Sequence, residues 1–464
     1  MTGAEGESVE RMSNPESDSL PHPNQVERES VHGSQLPTEG NRNHSDFDGE
    51  LKSGVNVKDR GENQMKSKSS FVHAVLNMIG MLIGLGQLST PYALENGGWA
   101  SAFLLVGLGI ICAYTSHLLG SCLERNPNSR NYQDIGNHAF GMKGRVITSI
   151  FIYMEIFLAL VSYTISLSDN LTRVFAGAHL HVPRIHLSTS ELLTVMAILV
   201  ALPSLWLRDL SSISFLSTAG ILMSILIFVT VICTAAFGVK ANHKIPALQL
   251  HNIPLVSGLY MYSLSGHTVF PNIYKAMQDP SKFTKVSIAS FTLVTIHYST
   301  LAFVGAKLYG PEVNSQITLS MPRHLVVTKI ALWATVITPM TKYALELAPI
   351  AIQIENNLPY SMNSRMRMLI RGSIGSLLLL VILVLALSVP YFQYILGLTG
   401  SLVSISVCII LPCTFHTKIY WSQISKPILI LNGTLIVFGS LLSVLGVISS
   451  SKSLIKSIER GHSH

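Results

Sequence analysis

Apolar runs alternate with short polar or charged connections over residues 71–450, whereas the first 65 residues hold scarcely any aliphatic run. About 20 apolar residues in a helix cross the hydrocarbon core of a bilayer. Runs of that size fall near 71–94, 98–122, 146–171, 191–207, 210–238, 254–278, 286–308, 325–354, 372–389, 391–416 and 427–450, which predicts eleven transmembrane helices. Two divisions rest on local chemistry. The charge-free stretch 372–417 is long enough for two helices and is split at Val389-Pro390, where proline disfavours continuation. The fourth and fifth runs are parted by a short charged turn at Arg208-Asp209.

Composition sharpens this picture. The 464 residues are 48% hydrophobic and 12% charged, against roughly 25% charged in soluble domains. Residues 1–65 hold 13 of the 25 acidic side chains and 6 of the 32 basic ones, so this segment is acidic and the remainder basic. A basic body laced with apolar runs points to a lipid bilayer as partner. No basic stripe or aromatic-interleaved basic segment exists, which excludes nucleic acid. Cys112, Cys122, Cys233, Cys408 and Cys413 lie in or against apolar runs without metal-type spacing. That excludes a secreted disulfide scaffold, and neither metal nor cofactor is expected. The acidic segment cannot bury enough apolar surface to offset chain entropy and is expected to be a disordered cytosolic tail. It has no signal-peptide core, and the sequon Asn43-His44-Ser45 within it is expected to stay unmodified.

With that tail in the cytosol, fifteen near-membrane Lys and Arg fall on the cytosolic side and nine on the other. This asymmetry predicts a cytosolic amino terminus and a short non-cytosolic tail at 451–464.

The first and sixth runs differ from the others. The first contains Ile83, Gly84, Leu85, Gly86 and Gln87 ahead of Pro91; the sixth contains Ser263, Leu264, Ser265, Gly266 and His267 ahead of Pro271. Gly86 precedes Pro91 by the same interval as Gly266 precedes Pro271, and the two copies open successive sets of five spans. Glycine lowers the cost of unwinding, and proline leaves a carbonyl without its helical donor. Unwound backbone at membrane depth persists only where it is packed in protein or lines a cavity. Paired interruptions in two halves of a chain point to a transporter binding site. New helix amino termini suit a carboxylate, and freed carbonyls suit an ammonium or a cation. An α-amino acid carries both charges on one carbon. A pair of packing kinks is the plainer alternative.

These residues have a familiar order. GxGxLSxPYALxxGGW from Gly84 to Trp99 resembles the first helix of the amino acid/auxin permease family. YSxSGHxVFPNIYxxM from Tyr262 to Met277 looks like its sixth helix, and TPxTKYALxLxP from Thr338 to Pro349 like its eighth. The likeness spans about residues 70–450, and the vacuolar amino-acid transporters of plants and fungi are the branch it most resembles. It implies an all-α integral membrane fold of the leucine-transporter type, a 5+5 inverted repeat plus one extra helix, with helices one and six broken. It also implies secondary active transport of amino acids, usually coupled to protons, with spans 1, 2, 6 and 7 rocking against 3, 4, 5, 8, 9 and 10. Gln87 departs from the pattern, since an aliphatic residue is expected beside the substrate cleft; Thr90 is a second departure. Both bear on substrate range more than on fold.

Charges inside the spans are costly and are functional candidates. Lys342 and Glu346 lie four residues apart in the eighth run, on one helix face, with Thr338 and Thr341 within a turn. In folds of the implied type, spans one and eight flank a cation site, so the Lys342 ammonium is a candidate to stand where sodium would; a structural ion pair is the alternative. Glu155, mid-span in the third run, is a candidate proton carrier or a hydrogen-bonded packing residue. Asp169 is expected at an interface. His267, inside the sixth break, could contact substrate, relay a proton or satisfy a bare carbonyl, with contact preferred. His73, His117 and His297 read as packing positions, and Tyr92 and Phe270 as rings that could close over substrate, with aromatic packing an equally simple reading.

No HExxH, GxSxG or acidic metal pair supports a membrane enzyme, and no filter-like repeat or arginine-rich sensor helix supports a channel. The expectation is a transporter of neutral amino acids, proton-coupled by antiport into an acidic compartment or by symport. An amino-acid sensor with little flux and a sodium-coupled symporter are the alternatives. The vacuolar membrane is the expected address, with the plasma membrane or another endomembrane as alternatives. No pattern bears on oligomeric state.

Overall fold

The computed structural model describes residues 69–177, 188–201, 210–238, 243–359 and 362–462. The acidic tail, its sequon, the Arg208-Asp209 turn, and Lys66, Lys68, Arg184 and Lys240 of the charge tally lie outside the described residues.

The described chain is all helical. In order, the helices are α1 (Phe71–Leu82), α2 (Thr90–Gly97), α3 (Trp99–Arg125), α4 (Tyr132–Val174), α5 (Thr189–Ala201), α6 (Leu210–Cys233), α7 (Ile253–Ser263) and α8 (Phe270–Ala276). Then come α9 (Phe283–Tyr309), α10 (Ile317–Ser320), α11 (Val326–Asn357), α12 (Ser364–Ser388), α13 (Phe392–Thr399), α14 (Leu411–Ile419) and α15 (Lys426–His462). Within the described residues, each predicted apolar run overlaps a helix or a broken pair of helices; residues 202–207 of the fourth run lie outside them. Among the described residues, seven helices are long and apolar enough to cross a membrane, or eight when α1 and the bent helix after it count as one span.

Local chemistry sets the ends. Ser70 caps α1 by accepting from the His73 N–H, and Asn131 caps α4 by accepting from the Asp134 N–H at 2.9 Å. Helix α12 stops at Ser388, directly before Val389-Pro390, and α13 begins at Phe392, where proline was expected to divide the run. Gly98 joins α2 to α3 at φ +73°, and a Cβ there would meet the Pro246 carbonyl at 2.6 Å. That carbonyl accepts from the Trp99 N–H at 2.9 Å, so the connection before α7 is strapped across the α2–α3 corner. Three helices outrun their apolar stretches, α12 by starting at Ser364 ahead of the run at 372–389. Helix α4 starts at Tyr132 and kinks at Phe140–Gly141 before the predicted third run, and α15 continues to His462 rather than ending at 450.

The interior holds α1, α2, α7 and α8 against α9 and α3, while α11 packs on α6 and α4. Buried hydroxyls such as Ser162, Thr164, Thr335 and Thr399 donate to carbonyls four residues back, which satisfies them within their own helices. The outer surface is apolar: Phe103, Ile110, Leu377 and Val437 are each more than 60% exposed, a surface suited to lipid rather than water.

Candidate substrate and coupling site

Each sequence-predicted break is a real interruption. Helix α1 ends at Leu82, Ile83 and Gly84 are extended, and Leu85–Ser89 form a tight 3-10 stretch leading into α2. The axis turns by 54° there. Helix α7 ends at Ser263, Gly266 leaves helical geometry, and His267–Val269 form a 3-10 turn into α8. Pro91 and Pro271 occupy the first turns of α2 and α8, where a missing N–H costs least. Ser89 donates to the Gly86 carbonyl and Thr90 to the Gln87 carbonyl, each at 3.0 Å. Thr90, a departure from the family pattern, thus serves the 3-10 stretch.

The two breaks seat against each other reciprocally. A Cβ on Gly86 would come within 2.6 Å of the Ser263 Cα, and one on Gly266 within 3.0 Å of the Leu82 Cδ2. Between them stands Tyr298 of α9. Its hydroxyl shares one proton between the Leu82 carbonyl at 2.7 Å and the Ser263 carbonyl at 3.0 Å, the last residues of α1 and α7. At the other end of the broken pair, the Ser69 N–H donates to the Ala276 carbonyl and the Gln278 N–H to the Ser69 carbonyl.

Charged partners arrive from α11 and α4. A Cβ on Gly84 would lie 3.1 Å from the Lys342 Nζ, so the lysine reaches the first break, and its stem passes Gly220 of α6. Among the described residues, Lys342 and Glu346 are not within ion-pair distance; Glu346 instead accepts from the Tyr163 hydroxyl at 3.3 Å. Thr338 and Thr341 donate to carbonyls of their own helix, and Thr341 faces Gly220. Glu155 of α4 accepts from the Ser265 hydroxyl at 2.6 Å, inside the sixth break, and the Cys408 sulfur lies 3.4 Å from that hydroxyl.

His267 is engaged elsewhere. Its Nε2 lies 3.0 Å from the Thr115 hydroxyl and 3.2 Å from the Cys112 carbonyl, both on α3, and its ring packs on Phe270 and Phe291. The Cys112 carbonyl lies within α3 and also accepts from the Thr115 hydroxyl, so it is not one of the carbonyls freed by a break, and Phe270 belongs to the aromatic cluster around His267. Asp169 accepts from Gln316 at 2.7 Å, and Gln316 also accepts from Ser166 and Asn170, tying the end of α4 to the segment before α10. His117 pairs with Thr284 at 2.8 Å, as a packing position would. His297 does more, placing its Nε2 3.2 Å from the Gln87 Oε1.

Tyr298 and His297 were missed as site residues. A hydroxyl or imidazole buried at membrane depth must find a partner, which would have singled them out without revealing which partner. A groove of about 700 Å³ along α3 and α9, lined by Val106, Ile110, Tyr114, His117 and Thr284, includes none of the break residues.

The model of a family described as "Transmembrane amino acid transporter protein" matches residues 67–452. The chain is similar to amino acid transporter AVT1H of Arabidopsis thaliana, 59% identical over 85% of this chain and 92% of the relative. It is also similar to amino acid transporter AVT1B of the same plant, 38% identical over 85% of this chain and 73% of the relative. Among solved structures, MhsT in complex with L-phenylalanine aligns at a TM-score of 0.47 and 13% identity, covering 81% of this chain and 98% of MhsT.

Proposed function

Because the chain belongs to the transmembrane amino acid transporter family, we propose that it carries neutral amino acids by proton-coupled alternating access, with substrate held where the two broken helices meet. Family membership makes it an integral, multi-pass membrane transporter and not an enzyme. The observation that carries the finer reading is the reciprocal seating of Gly86 on Ser263 and Gly266 on Leu82. Two breaks related in this way support a leucine-transporter-type inverted repeat, with substrate contacts at Ile83–Gln87 and Ser263–His267 and spans 1, 2, 6 and 7 as the moving bundle.

Charge supports the substrate class. A lysine meets one break and a glutamate the other, so the pair suits a zwitterion better than a net cation or anion. Lys342 at the first break supports proton over sodium coupling, because an ammonium there competes with any metal cation for the freed carbonyls. Glu155, bonded to Ser265, is the proton-carrying candidate nearest the substrate segment, with Glu346, Thr338 and Thr341 lining the lysine's side of the site. Motif resemblance and the lysine–arginine asymmetry support a vacuolar membrane with the amino terminus in the cytosol.

Uptake of radiolabelled amino acids into proteoliposomes, under an imposed proton or sodium gradient, tests the reading. Wild type is expected to respond to the proton gradient. Lys342→Met is expected to lose at least about tenfold of that flux, or about 1.4 kcal/mol, and most of its pH dependence. Sodium-driven flux in wild type, or an unaltered pH profile in Lys342→Met, would overturn the coupling.

A further inference from the structure

Gln87 stands in the first break where an aliphatic residue is the family expectation, and it is 1% exposed. Its backbone is committed: the N–H donates to the Gly84 carbonyl at 3.3 Å, and the carbonyl accepts from Thr90. Its side chain is half committed. The His297 Nε2–H donates to Oε1 at 3.2 Å, while Nε2 is buried and has no partner among the described residues. His297 is itself fixed by ring packing on Phe228 at 4.3 Å and on Tyr298, whose hydroxyl joins the two breaks. The amide is therefore oriented by one end, with two N–H donors left unmatched.

A buried donor without an acceptor is unfavourable and calls for a partner that arrives in another state. On the transport reading, the N–H groups that open the stretch Leu85–Gly97 are the candidates for the α-carboxylate that every amino acid shares. Gln87, two residues further along, is left for the part of the substrate that differs. Resting on the transport reading above, we propose that Gln87 is a specificity-determining residue. Its Nε2 donates to an acceptor on the substrate side chain, so that amino acids with a side-chain amide carbonyl or hydroxyl are preferred to aliphatic ones.

Glutamine and methionine, similar in length and unlike in acceptor, are the probes. In proteoliposomes, wild type is expected to show kcat/KM for glutamine about tenfold or more above that for methionine, the effect of one buried hydrogen bond. Gln87→Met, which keeps length and removes the amide, is expected to bring the ratio within about threefold of unity. His297→Leu, which releases the amide, is expected to lower the ratio severalfold and serves alone if Gln87→Met does not fold. A wild-type ratio at or below one overturns the proposal. So does an unchanged ratio in the variants, or an equal loss on both substrates, which would place the amide on the shared carboxylate or in packing. Wild-type flux of neither amino acid would instead overturn the transport reading, and this inference with it.

Discussion

At the first break, the backbone around Gly84 meets a lysine from α11, and Gln87 meets a histidine from α9. At the sixth, Ser265 meets a glutamate from α4, and His267 is held by a threonine and a carbonyl of α3. Part of the local sequence logic is shared: a glycine stands five residues ahead of a proline in the first turn of the new helix, although the helix unwinds at Ile83–Gly84, ahead of Gly86, in the first break and at Gly266 itself in the sixth. The neighbours are not shared. One break faces a cationic group and the other a carboxylate, and among the described residues the first carries an unmatched amide nitrogen on Gln87 and the sixth an unmatched ring nitrogen, Nδ1 of His267. Helix termination is thus written locally, while the chemistry each break can perform is imported from helices far away in the chain.

The comparison breaks most visibly at Gly86. Gly86→Val would drive its side chain into the Ser263 backbone, which cannot yield as a flexible side chain can. We expect a loss of about 3 kcal/mol in stability and no measurable uptake, read by thermal unfolding and proteoliposome flux. Wild-type behaviour in this variant would mean the breaks do not meet.

A smaller effect separates the charges of the two breaks from their packing. Glu155→Gln keeps an oxygen for the Ser265 hydroxyl and removes the carboxylate. Stability is expected to change by less than about 1 kcal/mol, whereas proton-driven flux should fall by about tenfold. Equal flux in the variant would assign Glu155 to packing and leave Lys342 as the charged group that matters.

The smallest effect concerns what joins the breaks. Tyr298→Phe keeps the ring and removes the one hydroxyl lying between the Leu82 and Ser263 carbonyls. A loss of about 1 kcal/mol is expected, seen as a drop of a few degrees in Tm. No shift at all would show that the two carbonyls do not need that donor.

How far the sequence reaches follows from which interactions are local. Hydropathy places the long helices because burial against lipid is recorded residue by residue, and it passes over the short α10, which lies between two runs. It misplaces the ends of α4 and α15, since a helix continues through polar residues such as Lys452, Lys456 and Glu459 where nothing interrupts its backbone. Glycine and proline mark both breaks because unwinding is decided within a few residues. The pairing of Lys342 with Gly84, rather than with Glu346 one turn along its own helix, is invisible to spacing: it depends on Gly220 and Gly84 leaving room for the side chain. Likewise, nothing near His267 in the chain shows that α3 will claim its ring, and nothing near Gln87 shows that His297 will orient its amide.

The proposed function stands on an amino acid binding where the two broken helices meet. Equilibrium binding of radiolabelled amino acid to purified wild type and Gly266→Val tests it most directly, because a side chain there presses on Leu82 across the junction while its neighbour is a flexible side chain rather than backbone. Saturable binding by wild type is expected, with its loss in a variant that still unfolds cooperatively. Wild-type affinity in a folded Gly266→Val would contradict it.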